Sequence, residues 1–126
     1  MTEGLQKRFQ VEVDKMKATQ AEYSKLVKSR QQLESQLTEN TLVKDEMDLL
    51  EPDAAVYKLY GPALVKQDLS EAKTTINQRL EFINGEIKRV EGTLADFDGK
   101  MAAHRETISK IQQQAQQAQV KAAIKA

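Results

Sequence analysis

Of the chain's 126 residues, 40% are hydrophobic but only 5% aromatic, enough apolar material to fold yet too few bulky rings to fill a wide globular core, so an extended helical architecture is expected. Nineteen basic residues balance nineteen acidic ones, which removes the electrostatic attraction that a nucleic acid or an anionic membrane surface requires. The absence of cysteine excludes disulfides, thiol catalysis and thiolate metal ligation, and suits a reducing compartment.

The opening MTEGLQKRFQ lacks the apolar run of a secretory signal. No stretch approaches the roughly 20 apolar residues that span a bilayer, so a cytoplasmic or nuclear location without membrane insertion is expected. Leu5, Phe9, Met16, Tyr23, Leu26, Leu33, Leu37 and Met47 recur at a/d spacing and predict a first helix over about residues 4–50. Glu12, Thr19, Arg30, Asn40 and Lys44 are polar intrusions in that stripe, so it is apolar enough to pair but not to be buried on all sides. Pro52 closes the helix, because its ring and missing N–H cannot continue one.

Residues 54–66 read as a β-hairpin. Val56, Tyr57, Leu59 and Tyr60 suit a pleated surface, Gly61-Pro62 supplies the turn, and Leu64 and Val65 resume the pattern. Both faces are apolar, with Val56 and Tyr60 on one, Tyr57 and Leu59 on the other, and Leu64 and Val65 adding one to each. Six such side chains represent on the order of 10 kcal/mol of burial that a lone hairpin cannot collect. Hairpins of sister chains completing a shared sheet would collect it; the alternative is a hairpin folded down over Met47 and Leu69 in a monomer.

Asp68, with Glu71 three residues on, forms a capping-box pattern that opens a second helix over about 68–120. From Ile76 through Leu80, Ile83, Ile87, Val90, Leu94, Phe97, Met101, His104, Ile108, Ile111 and Ala115 to Ala118, steps of four and three alternate without a break. That is the repeat of a coiled-coil seam. The successive steps of four at Ala72, Ile76 and Leu80 add one stutter near its start. Each helix would be roughly 70 to 80 Å long, and the two must run antiparallel. With Met47 near Ala72, Leu37 faces Ile83, Leu26 faces Leu94 and Phe9 faces Ile111, Arg30 meets Val90 with Glu86 and Glu91 nearby, and His104 falls within a turn of Glu12. His104, the only histidine, suits a polar layer that pins register better than a metal site, for which it has no companion ligand. Gly85, Gly92 and Gly99 recur every seven residues on the face opposite the seam, where they would make the helix compliant. The final QQQAQQAQVKAAIKA is low in complexity, and a flexible tail over about 116–126 is expected.

No phosphate-binding glycine loop, activated nucleophile or metal constellation is present, so neither catalysis nor a cofactor is expected. The runs LESQLTEN, VYKLYGPALVKQDLSEA and RLEFINGEIKR resemble the β-class subunits of prefoldin over about residues 5–115. The resemblance implies a single all-α-dominated domain, an antiparallel two-helix coiled coil whose hairpin completes an intersubunit β-barrel. It further implies a hetero-hexamer of two α-class and four β-class chains that captures unfolded clients such as actin and tubulin and passes them, without ATP hydrolysis, to the cytosolic chaperonin. For this chain the hairpin residues above would hold the assembly together. Leu5, Phe9, Val13, Ile108, Ile111 and Val120, far from the hairpin, are the candidate client-binding positions. A structural or tethering coiled coil, in a prefoldin-like assembly or a transcription-related complex, is the alternative.

Overall fold

A computed structural model describes residues 2–125, in the order α1 (Glu3–Asp48), β1 (Val56–Tyr60), β2 (Ala63–Gln67) and α2 (Leu69–Lys125). These elements form two compact units, residues 29–91 and residues 2–28 with 92–125.

In the unit of residues 29–91, α1 stops at Asp48, two residues before the expected end, because the chain tightens there. The N–H groups of Leu49 and Leu50 donate to the carbonyls of Glu46 and Met47, each at 3.2 Å, so the last turn is closed by three-residue rather than four-residue steps. A turn around Pro52-Asp53 follows, with the Ala54 N–H donating to the Glu51 carbonyl at 3.0 Å. Strands β1 and β2 pair antiparallel, with Val56 opposite Gln67, Lys58 opposite Val65 and Tyr60 opposite Ala63. Gly61 has φ of 56° and is the first of the two central turn residues, the geometry of a type II′ hairpin, which matches the twist of the flanking strands. Pro62 takes the second position, where its fixed negative φ fits.

Asp68 caps α2, its carbonyl accepting from the Ala72 N–H at 2.9 Å while the Ser70 hydroxyl donates to its carboxylate at 3.0 Å. Beyond it Leu69, Ala72, Ile76, Ile83 and Val90 are buried, Val90 to 1% exposure. Two contacts fix how the helices of this unit meet: Arg30 donates to Glu91 at 2.8 Å, and Lys73 lies 3.9 Å from Asp48. Both fall within one residue of the expected pairing, whereas a slip by a heptad would carry Arg30 two turns away from Glu91.

In the unit of residues 2–28 and 92–125, Met101, Ile111 and Ala115 are buried on α2, while Leu94, Phe97, His104, Ile108 and Ala118 are half-buried. From α1, Leu5, Phe9, Met16, Tyr23 and Leu26 are half-buried. Arg8 donates to Gln114 at 3.3 Å and His104 pairs with Glu12, again within a turn of the expected partners. Helix α2 continues to Lys125, beyond the expected end near 120. Of the expected tail over 116–126, residues 116–125 are helical and residue 126 lies outside the described residues. Alanine, glutamine and lysine dominate that stretch, and all three rank high in helix propensity, so the helix propagates even where most side chains are exposed.

Helix α1 has no fully buried residue, and its polar intrusions explain how its stripe tolerates them. Thr19 and Asn40 donate to the carbonyls of Lys15 and Gln36 in their own helix, at 3.0 and 2.7 Å. Arg30 also reaches Glu34 at 3.0 Å, and Glu12 accepts from His104. No side-chain polar atom among the described residues is buried without a partner.

Candidate functional site

The strand pairing sorts the hairpin into two faces, since directly opposed residues share a side. Val56, Lys58, Tyr60, Ala63, Val65 and Gln67 lie on one; Tyr57, Leu59, Leu64 and Lys66 lie on the other. Of the six apolar residues singled out from the sequence, only Val56 is half-buried, and Tyr57, Leu59, Tyr60, Leu64 and Val65 are 47–68% exposed. Val56 lines a cleft of about 210 Å³ with Met47, Ala72 and Ile76 at the base of the helices, a cleft that Tyr57 and Leu59 also line while staying exposed. The fold therefore covers the root of the hairpin and leaves the rest bare. Lys58 places its ammonium 5.0 Å from the centre of the Tyr60 ring, a contact that keeps its charge on the aromatic face. With only two strands, both outer edges carry unpaired backbone groups.

The candidate client-binding residues divide. Leu5, Phe9, Val13 and Ile108 are half-buried and Val120 is 54% exposed, but Ile111 is 1% exposed and belongs to the seam. Two exposed residues near them lack any periodic signal in the sequence: Val11, which lines a 230 Å³ cleft with Arg8, Thr107 and Ile111, and Ile124, 79% exposed one turn beyond Val120. The sequence also gave no sign of the exposed apolar group at the end of α1, Leu42, Val43, Leu49 and Leu50, nor of Phe82 on α2. All sit off the a/d positions, and periodicity identifies a seam without describing the opposite face. The one local signal is the pair of adjacent leucines, Leu49 and Leu50, just before Pro52.

The His104–Glu12 pair is the main polar layer of its unit. Nδ1 of His104 lies 3.2 Å from Glu12 Oε2, and an ionised carboxylate can only accept, so Nδ1 carries the hydrogen. The bond from His104 holds the Glu12 carboxyl below its ordinary value of 4.5, against partial desolvation and with help from Lys15 at 3.5 Å. No group of three or more histidines, cysteines or acids that could hold a metal ion occurs among the described residues, and none of the helices is long and apolar enough to cross a membrane.

A family model for prefoldin subunits matches residues 10–115. Prefoldin subunit 6 of Mus musculus is 47% identical over 119 residues, 94% of this chain and 94% of the mouse protein. Prefoldin subunit 6 of Homo sapiens is also 47% identical over 119 residues, covering 94% of this chain and 92% of the human one. Among solved structures, the prefoldin beta subunit from Thermococcus strain KS-1 superposes with a TM-score of 0.77 at 22% identity, over 82% of this chain and 90% of that one, a likeness of fold.

Proposed function

Since the chain belongs to the prefoldin subunit family, we propose that it serves as one β-class subunit of a hetero-hexameric, ATP-independent chaperone that holds non-native polypeptides and hands them to the cytosolic chaperonin. Its hairpin joins those of α- and β-class sister subunits in a shared β-barrel, and its helical pair projects from that platform toward clients of the actin and tubulin kind. Neither catalysis nor a cofactor enters this mechanism, and it operates in the cytoplasm.

The observation that carries the reading is where apolar surface is left uncovered. Of the thirteen large apolar side chains exposed among the described residues, nine lie between residues 42 and 65. Scattered exposed leucines are ordinary in a soluble protein, whereas a concentrated apolar patch marks a surface that another molecule covers. A hairpin with two bare edges and two apolar faces is completed most simply by further strands. For clients, Val120 and Ile124 together with the half-buried Leu5, Phe9, Val13 and Ile108 supply non-directional contact, while Ile111 becomes available only if the seam opens. Apolar burial is worth roughly 25 cal/mol per Å², so each such contact is weak and tolerant of sequence. Several arms acting on one chain convert weak contacts into useful retention.

The test is to purify the chain with its co-purifying partners and to follow aggregation of a denatured protein by light scattering. Suppression at stoichiometric amounts supports the chaperone reading. A stable complex that leaves aggregation unchanged points to a structural or tethering role.

A further inference from the structure

Two clefts share a wall at the base of the helices. The one that Val56 lines, about 210 Å³, and a second of about 410 Å³ are both bordered by Thr75 and Arg79 of α2. Gln36 and Asn40 of α1 and Gln78, Phe82 and Ile83 of α2 complete the second. Together the clefts follow α2 from Ala72 to Ile83, roughly 16 Å at 1.5 Å per residue, which is the reach of about five extended residues. All of this surface belongs to the unit of residues 29–91. The first cleft lies under β1, and among the described residues β2 contributes to it only Gln67, at the root of the hairpin.

The lining of this groove has a consistent character. Val43, Met47, Ile76, Phe82 and Ile83 give it apolar surface, Lys58 and Arg79 give it positive charge, and none of the described residues bordering either cleft is acidic. The Arg79 guanidinium has no hydrogen-bond or ion-pair partner among the described residues. Phe82, three residues further along the same face of α2, is 68% exposed. Arginine and aromatic side chains are the types enriched where protein interfaces carry most of their binding energy. The chain holds nineteen acidic residues, yet the fold brings none of them into the groove, so a carboxylate complementary to Arg79 comes from outside it. Position says where from. The groove begins beneath β1, whose outer edge carries unpaired backbone groups, and so continues the surface on which another strand is added.

We propose that the groove lined by Asn40, Val43, Thr75, Arg79 and Phe82 receives a short extended segment of an adjacent, different sister subunit, the stretch of chain adjoining the strand that pairs with β1. An apolar side chain of that segment lies against Phe82 and Val43, and a carboxylate meets Arg79. The inference rests on the reading of the hairpin as an assembly element and adds a second contact, on the helices, that the hairpin does not supply. Burial against Phe82 provides affinity, while the charge on Arg79 selects which sister chain fits and suppresses wrong neighbours.

Subunit exchange tests it, with the chain isotope-labelled, assembled with its co-purifying partners and followed by native mass spectrometry. Arg79→Glu and Phe82→Ser should each speed departure of this chain from the complex about tenfold, because losing a central aromatic or reversing a paired charge acts mainly on dissociation. The effect of Arg79→Glu should shrink in high salt, and that of Phe82→Ser should not. Both side chains are exposed, and circular dichroism verifies that the helices are retained. A photo-reactive phenylalanine analogue in place of Phe82 should cross-link, with no client present, to an acid-containing stretch beside a hairpin strand of a sister subunit. Exchange unaltered by both substitutions, or cross-linking only to an added denatured client, overturns the proposal. Leu64→Ser, in the hairpin, keeps the two readings apart: if it speeds exchange while the groove variants have no effect, the hairpin reading stands and the groove proposal falls. If no complex with sister subunits forms around the unaltered chain, both fall.

Discussion

Ile111 and Val120 were both candidates for holding clients, and their surroundings predict opposite behaviour on truncation. Ile111→Ala removes three carbon groups from a side chain that is 1% exposed. At about 0.8 kcal/mol per buried carbon group the loss is about 2 to 3 kcal/mol, with little added for a cavity because the facing residues of α1 are half-buried and can settle inward. Opening of the unit formed by residues 2–28 and 92–125 should therefore become about 30- to 150-fold more frequent. Hydrogen exchange read by mass spectrometry on the complex with its partners is the suitable assay, since peptides spanning 3–12 and 104–118 report that unit and peptides spanning 69–83 serve as an internal control. Exchange should quicken in the first two and stay unchanged in the third. Val120→Ser, at a residue already half in water, should leave all three within about twofold while lowering capture of a denatured client. Equal acceleration by the two substitutions, or none by Ile111→Ala, would refute the assignment of Ile111 to the seam.

Three further outcomes are expected. The carboxyl of Glu12 titrates lower in the folded chain than in the unfolded one, so its pairing with His104 lends stability in full above the ordinary value of 4.5 and loses it as pH falls through the lower folded value; the difference in Tm between the chain and Glu12→Gln should be present at pH 7 and vanish in strongly acidic solution. Replacing Gly85, Gly92 and Gly99 together by Ala should add about 1 kcal/mol each to helix stability, since an added Cβ meets nothing within 4 Å at any of them, and a compliant helix thereby stiffened should capture bulky clients less well in the aggregation assay. Gly61→Ala also has open space around it, yet its positive φ imposes a cost of about 1 kcal/mol, visible as weaker incorporation into the complex.

The seam was the most legible part of the sequence because its signal is redundant. Every a/d position from Ile76 to Ala118 is buried or half-buried, as are the polar intrusions Glu12, Thr19, Arg30, Asn40 and Lys44. A hairpin between two such stripes forces antiparallel return, and the spacing from Met47 to Ala72 sets the pairing that Arg30–Glu91 and Lys73–Asp48 display. Helix ends were less legible. Low complexity over 116–126 fixes no helix end, and a composition rich in alanine and glutamine carries α2 on to Lys125. At the other end, three-residue hydrogen bonding took Leu49 and Leu50 out of α1 before Pro52 could act. The exposure of these two leucines has no sequence signal, because no period encodes an outward face.

Among the described residues all eight buried side chains belong to α2, and α1 has none. The two helices are therefore unequal in what they tolerate: one acts as a spine with eight residues closed off from water, the other as a sheath whose inward residues all keep one side wet. Substitutional drift should accumulate on the sheath, leaving its chemistry free to diversify while the spine preserves the pairing of the two helices.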